Sequence, residues 1–361
     1  MSVSGAKGRE PNVAVSGAKS RLLLGLFDPT GAWTIPDAEV ERLGREFPAV
    51  RVERARSKEE LKAAIPEAEI LFSWAPGEEI AALGRRLRWI HSPAAGVGAY
   101  LTPSVRGRGI ALTNSRGVHA IPIAEHTMGM LVALARRLRA AIVEQTTGMS
   151  RDAWYTRPTV PQELFGKTLG VFGYGAIGRE VARRALAFGM RVVALKRRPE
   201  QAPFADSAAL AALGLPVEEP RLDRILAPDD FDRLLGESDA IVVTAPLTEE
   251  TEGIFDARAF ARMRRGAWFV NVSRGKIVRE RDLAAALSGG ALGGAALDVF
   301  ETEPLPPESE LYTLENVILT PHVSGFSTGF WPRAMALFRE NLRRDGAGLP
   351  LLNRVDVNRG Y

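Results

Sequence analysis

Short apolar runs alternate along the chain with stretches of helical period, and the alternation appears in two blocks. In the first block, residues 22–27 form an apolar run that stops at Asp28-Pro29, a length suited to a buried strand. Residues 51–52, 70–73, 89–92 and 111–113 read as further strands, with helices over 36–46, 57–64 and 78–83 between them. Ser57 is a good N-cap, and Glu60 three residues on completes a capping-box pattern. The second block has strands predicted at 169–172, 191–195, 240–244, 267–271, 295–298 and 317–319. Helices are predicted at 176–187, 229–235, 257–262 and 279–288. Strands alternating with helices predict parallel α/β sheets. The polar, proline-containing piece 199–228 reads as a loop with a helical turn, and an amphipathic helix closes the chain at 329–344. Between the blocks, 119–144 reads as one helical segment, apolar nearly all round before Arg136. Such a helix needs covering, by the other domain or by a second subunit.

The first strand of the second block runs into Gly173-Tyr174-Gly175-Ala176-Ile177-Gly178, and the helix 176–187 opens inside that motif. Strand, G-x-G-x-x-G and helix together are the context of a dinucleotide-binding turn. Gly173 permits the tight turn, Gly175 admits a pyrophosphate to the backbone, and Gly178 packs helix on strand. The helix N-terminus offers free N–H groups to the anion. The next strand would ordinarily end in an acid that binds the ribose 2′-hydroxyl of NAD. Here it ends in Lys196-Arg197-Arg198, with Lys196 standing 18 residues after Gly178. Three cations attract a 2′-phosphate, so NADP(H) is expected over NAD(H), which stays possible.

Composition narrows the classes further. Hydrophobic residues are 46% and charged residues 25% of 361, ordinary globular proportions that speak for two domains. There is no cysteine, so disulfides and cysteine-ligated zinc are excluded. The net charge of +4 invites a nucleic-acid reading, yet residues 1–21 alone carry +3 of it. The basic balance is that of a Gly/Ser/Ala/Lys-rich tail, 1–19, so no nucleic-acid partner is expected. No run approaches the ~18 apolar residues of a membrane helix, and the first 20 residues lack a secretory apolar core. The expected setting is cytoplasmic. His119 and His126 are seven apart, not the four of a helical zinc pair, so no metal site is expected.

Three later strand ends are rich in polar groups: Asn271-Val272-Ser273-Arg274-Gly275, Asp298-Val299-Phe300-Glu301-Thr302-Glu303-Pro304, and Thr320-Pro321-His322-Val323-Ser324-Gly325. Ligands of open α/β sheets bind at the carboxyl ends of strands, so these segments are placed to converge. Together with the glycine turn and Ala245-Pro246-Leu247-Thr248 with Thr251, in this order, they make the chain resemble the D-2-hydroxyacid dehydrogenase family over about residues 20–361. The likeness extends to its glyoxylate/hydroxypyruvate reductases, whose cofactor loops are basic.

The resemblance implies two doubly wound parallel-sheet domains with the site in a cleft between them. One is a Rossmann cofactor domain, 114–320; the other is a flavodoxin-like substrate domain, 20–113 plus 321–361. It implies Arg274, Glu303 and His322 as catalytic residues. It adds Thr244, Ala245, Pro246, Thr251, Val272, Ser273, Asp298, Ser324 and Gly325 to the cofactor site, with Arg274 and His322 touching cofactor and substrate alike. Backbone N–H groups of Ala95, Gly96 and Val97 would hold the substrate carboxylate. Trp74, at a strand end, is either cleft lining or core. A homodimer through 119–144 is implied as well.

The chemistry suits a short 2-oxo acid. Arg274 can fork hydrogen bonds to carboxylate and keto oxygen. His322 can protonate the forming alkoxide, and Glu303 can orient its ring and favour its charged form. Alternatives are the same fold acting on D-glycerate, D-lactate, phosphoglycerate, formate or phosphite, or a nucleotide-sensing corepressor. Formate dehydrogenases carry Gln beside the histidine, which Glu303 disfavours.

Overall fold

The computed structural model describes residues 19–146, 148, 150–157, 159–200 and 207–357. The expected tail, 1–19, lies outside the described residues except for Lys19. The described chain forms two compact units. The first runs to Arg116 and resumes at Trp331, with Ala212–Gly214; the second is Gly117–Ala211 and Leu215–Phe330. The junctions expected from the sequence lie nearby, at 113/114 and 320/321.

The first unit holds five parallel strands, β1 (Ser20–Gly25), β2 (Val50–Arg54), β3 (Ile70–Ser73), β4 (Trp89–Ser92) and β5 (Ala111–Asn114), in the order β2-β1-β3-β4-β5. Alternate residues feed opposite faces. Leu22, Leu24, Phe72 and Trp89 pack on one side with Met335, Phe338 and Leu342. Leu23, Leu71, Ile90 and Leu112 pack on the other. Burial on both faces is why β1 and β3 read as apolar runs. The helix Phe330–Gly346 supplies Phe338, whose ring lies 4.3 Å from Phe72 and 5.4 Å from Trp89. Ser57 accepts the Glu60 N–H as expected, but the Glu60 carboxylate reaches back to the N–H of Arg56, not of the cap itself.

The second unit holds seven parallel strands: β6 (Thr168–Phe172), β7 (Arg191–Leu195), β8 (Arg224–Leu226), β9 (Ala240–Val243), β10 (Ala267–Asn271), β11 (Leu292–Leu297) and β12 (Val317–Leu319). Their order is β12-β11-β10-β9-β6-β7-β8. The order reverses between β6 and β9, the switch point at which such sheets bind nucleotides. The register aligns one end of the sheet. Leu195 pairs with Phe172, Phe172 with Val243, Val243 with Asn271, Asn271 with Leu297 and Leu297 with Leu319. Leu226, the last residue of β8, pairs with Leu195 in turn, so all seven strands finish in one row, and the glycine turn, the basic turn and the polar strand-end segments all start at or next to that row.

Several elements depart from expectation, among them the helix Pro103–Gly107, which the sequence reading left out. The segment 119–144 is two helices, Ala120–Ala135 and Leu138–Glu144, broken at Arg137, which takes a left-handed φ of 54°. The first is covered within its own unit: Ala124, Met128, Leu131 and Ala135 pack with Val181, Ala182 and Ala185 of the helix Ala176–Ala187. Within 199–228 there is a true edge strand, β8, too short to show a period, and a helix, Ser207–Ala212. β11 starts at Leu292, earlier than expected, and runs through Gly293 and Gly294; a Cβ on Gly293 would lie 2.4 Å from the Gly266 carbonyl oxygen. Finally, the short helix Arg151–Tyr155 carries no readable pattern in the sequence. Among the described residues no helix is long and apolar enough to cross a membrane.

Candidate active site

The glycine turn is built by close approach. Gly173 has φ +102°, and a Cβ there would lie 2.3 Å from the Ala245 nitrogen, so no other residue fits. A Cβ on Gly178 would lie 2.6 Å from the Gly173 oxygen and 2.9 Å from Val171. Gly175 is different: nothing stands within 4 Å of where its Cβ would be. It caps the helix Ala176–Ala187 in an extended conformation with no side-chain bond to the first turn, which leaves the backbone N–H groups presented outward. The turn is tied to its neighbours. Gly173 and Tyr174 both donate to the Leu195 carbonyl at 3.1 Å, and Thr244 Oγ1 donates to the Gly173 carbonyl at 2.6 Å.

Lys196 follows Leu195 in the chain, half-buried, with Arg197 and Arg198 exposed beside it. Burial pushes the Lys196 ammonium below its ordinary pKa, while the charges of Glu200 and Glu219 pull it back up. The segment 244–251 is knit by Thr251, whose hydroxyl donates to the Pro246 carbonyl and accepts the Thr248 N–H, both at 2.8 Å. Ser273 Oγ donates to the Ala245 carbonyl. The loop after β10 is fixed by Asn271, which donates to the Arg274 carbonyl at 3.0 Å and accepts the Ser273 N–H at 3.1 Å. The Arg274 guanidinium is exposed, with one N–H on the Ser273 carbonyl at 2.7 Å. Gly275 lies so close to Phe300 and Glu301 that any side chain would overlap their backbone. The loops after β10 and β11 are thereby locked together.

Asp298 organises the last loop. Its carboxylate is fully buried and accepts the Thr320 hydroxyl at 2.6 Å, the Val323 N–H at 2.9 Å and the Ser324 N–H at 3.0 Å. Its carbonyl accepts the His322 N–H at 2.8 Å. His322 is held at φ 55°, a conformation that non-glycine residues rarely take and that the surrounding bonds enforce. Its Nδ1 lies 2.7 Å from Glu303 Oε2, while Glu303 Oε1 accepts the Phe300 N–H at 3.2 Å. Both side chains are more than a third exposed, so the pair faces solvent with Nε2 directed away from Glu303. A ring fixed through Nδ1 with Nε2 on its open side is equipped to pass a proton to a bound carbonyl.

Two histidines that the sequence left unassigned support this end of the sheet. His126 Nε2 is 3.1 Å from Thr320 Oγ1, and His119 Nδ1 is 3.0 Å from the Gly325 carbonyl, with its ring stacked on Phe330. Nothing in their spacing points to these contacts. Sequence reasoning also missed Arg179 and Glu219. Arg179 follows the last glycine of the motif and reads as a surface cation, yet it is 1% exposed.

Trp74, Ala95, Gly96 and Val97 belong to the first unit. Ala95 and Gly96 are exposed and Val97 is buried; Asn114 holds the loop by donating to the Ala95 carbonyl at 2.8 Å. Trp74 donates from its indole to the Trp33 carbonyl at 3.0 Å and sits edge-on to Trp33 and Trp331.

The family model for the NAD binding domain of D-isomer specific 2-hydroxyacid dehydrogenases matches residues 128–324. The chain is 35% identical over 277 residues to the hydroxypyruvate reductase of Thermotoga maritima, covering 75% of this chain and 82% of that protein. It is 30% identical over 326 residues to the D-3-phosphoglycerate dehydrogenase of Archaeoglobus fulgidus, covering 90% of this chain. The chain spans only 58% of that relative's length. Among solved structures, an NADPH-dependent glyoxylate/hydroxypyruvate reductase from Sinorhizobium meliloti, in complex with NADP and sulfate, superposes with a TM-score of 0.73 at 26% identity. That match covers 95% of this chain and all of that one. The family match spans more than half of the sequence, over the same strand ends that carry the glycine turn, Arg274 and the histidine–glutamate pair. The chain belongs to the D-isomer specific 2-hydroxyacid dehydrogenase family.

Proposed function

We propose that this chain reduces a short 2-oxo acid, of the glyoxylate or hydroxypyruvate kind, to the D-2-hydroxy acid, with NADPH preferred over NADH. The observation that carries the reading is the 2.7 Å contact between His322 and Glu303, in the same row of strand ends as Arg274 and the glycine turn. The turn fits a dinucleotide: it is crowded at Gly173 and Gly178 and open at Gly175, where a pyrophosphate needs access. Residues 173–178, Lys196, Arg197 and Arg198, Thr244–Pro246, Thr251, Val272, Ser273, Ser324 and Gly325 would hold the cofactor. When bound, it supplies the hydride.

Arg274 binds the substrate carboxylate and polarises the keto group. His322 delivers a proton from Nε2 to the oxygen that gains charge, and Glu303 holds the ring through Nδ1 so that Nε2 is the atom presented. In the reverse direction His322 accepts that proton. Ala95, Gly96 and Val97 are assigned the substrate carboxylate through their N–H groups. The basic turn is assigned the 2′-phosphate, a reading supported by the NADP complex of the Sinorhizobium relative.

The test is a panel of 2-oxo acids, 3-phosphohydroxypyruvate included, followed by absorbance loss with NADPH and with NADH. The expected result is turnover of glyoxylate or hydroxypyruvate, higher kcat/KM with NADPH, and a selective loss for NADPH in Arg197→Ala. His322→Ala should lower kcat by about 100-fold or more, on the usual scale of acid–base catalysis. Near-normal turnover by that variant would reject the assignment, and a clear preference for NADH would reject the cofactor claim. A preference for the phosphorylated acid would move the substrate toward that of the Archaeoglobus relative.

A further inference from the structure

The helix that opens in the glycine turn also grips a distant loop. Arg179, buried to 1% exposure, donates to the carbonyls of Pro216, Val217 and Glu218 at 2.7, 2.7 and 2.6 Å. Arg183, one turn on, donates to the Glu218 carbonyl at 2.6 Å. Four guanidinium bonds to three consecutive carbonyls fix residues 216–218 to that helix, and with them the position of Glu219. The Glu219 carboxylate lies 2.8 Å from Arg179 Nε, close but poorly aligned as a hydrogen bond. Its other oxygen accepts the Tyr174 hydroxyl at 3.3 Å.

Tyr174 is the second residue of the glycine turn, and its N–H shares the Leu195 carbonyl with Gly173, one residue before Lys196. The carboxylate thus stands at the junction of the turn and the basic strand end. Its negative charge acts on both groups: after burial it further raises the pKa of the Tyr174 phenol, and at Lys196, where burial lowers the ammonium's pKa, it opposes that fall together with Glu200. Its side chain is 40% exposed, so part of its field faces outward. The strand-end position is cationic, yet a carboxylate from 23 residues further along the chain has been brought to the adjoining glycine turn, at Tyr174.

We propose that Glu219 is a specificity-determining residue for the cofactor: its carboxylate, delivered by the Arg179-held loop to the Tyr174 hydroxyl of the glycine turn, acts on Lys196 at the end of β7 and moderates the preference for the phosphorylated dinucleotide. This role rests on the cofactor placement proposed above. A fixed negative charge near a phosphate dianion costs binding, whereas a 2′-hydroxyl carries no charge to repel. Glu219 therefore weakens NADP(H) selectively and leaves NAD(H) nearly untouched. The structure shows why this acid is tolerated there: Arg179 and the Tyr174 hydroxyl give it partners.

The experiment measures dissociation constants of NADP+ and NAD+ by calorimetry, with melting temperatures, for the full chain and for Glu219→Gln and Glu219→Asp. The glutamine keeps an oxygen for Tyr174 and removes the charge. Its ratio of Kd for NAD+ to Kd for NADP+ should rise about threefold to tenfold over the unsubstituted protein, a gain that shrinks with added salt. Glu219→Asp, which keeps the charge, should leave the ratio within about twofold. If the glutamine variant does not fold, Glu219→Met, of similar volume and no charge, is expected to move the ratio the same way. A ratio that stays constant or falls, with or without a lower melting temperature, overturns the proposal and leaves Glu219 as the counter-ion of Arg179. The outcome is separate from the cofactor preference itself: the ratio can rise in a protein that prefers either dinucleotide, and only the unsubstituted protein's absolute ratio tests the preference for NADPH.

Discussion

His91 carries an ionisable ring where no water reaches it. Its Nδ1 lies 2.7 Å from Thr113 Oγ1 and its Nε2 3.2 Å from Ser115 Oγ, within a cage that includes Phe72 and Phe338. Two hydroxyls satisfy a neutral imidazole but offer no countercharge, so burial pushes its pKa down to about 3. The unfolded chain takes up a proton near pH 6.5 that the folded unit refuses. Stability is therefore full above pH 6.5 and is lost as pH falls from there toward 3, with a slope of up to about 1.4 kcal/mol per pH unit from this residue. His91→Gln should flatten the pH dependence of the urea midpoint between pH 6.5 and 4.5, whatever it does to stability at pH 8. An unchanged slope would mean that the ring charges inside the fold. The contrast with His322 is one of place: the same side chain is exposed beside a carboxylate in one unit and sealed among rings and hydroxyls in the other.

At the scale of elements, the row of strand ends explains why the candidate site is legible in the sequence. Parallel strands buried on both faces write themselves as apolar runs, and the residues after each run land on one edge of the sheet. The glycine turn, residues 271–275, 298–304 and 320–325 are all readable for that reason. The unread parts are those whose cause is not local. Arg137 takes its left-handed turn inside a run with no glycine or proline to announce it. β8 has three residues and one buried side chain. Arg179 and Glu219 are partners 40 positions apart, and neither type nor spacing marks them.

Asp298 shows how far an element's end depends on one such buried group. It joins β11 to the loop of His322 through three side-chain bonds, and the helix Ala120–Ala135 adds a prop through His126 and Thr320. Asp298→Asn would turn an amide –NH2 toward a backbone N–H, that of Val323 or of Ser324 according to its orientation, and an N–H only donates. It should destabilise the second unit by about 2–3 kcal/mol and free the backbone at His322. kcat should fall at least tenfold, the scale on which positioning a catalytic group matters. A variant with normal melting temperature and normal kcat would show that the loop keeps its shape without the carboxylate.

At the scale of the whole molecule, the question is what covers the outer side of the second unit. The helix Ala120–Ala135 is satisfied internally, but Leu138–Glu144 turns its apolar residues outward: Ile142 and Val143 are 61% and 55% exposed, and Leu138 is 42% exposed. Tyr155, Val160 and Phe165, from the next stretch of the chain, are exposed as well. Single exposed apolar residues need no explanation, whereas several on adjoining segments mark an association surface. A second copy of this chain is the partner we propose, because the same helix on each protomer can bury its apolar row against its twin in a self-complementary contact. Sedimentation at micromolar concentration should give about twice the 39.2 kDa of the chain. Ile142→Glu with Val143→Lys should return it to the single-chain mass without lowering the melting temperature by more than a few degrees, since both side chains are already in water in the isolated chain. A monomer for the unsubstituted protein, or a dimer that survives both substitutions, would remove this helix from the contact and leave its apolar face to another partner.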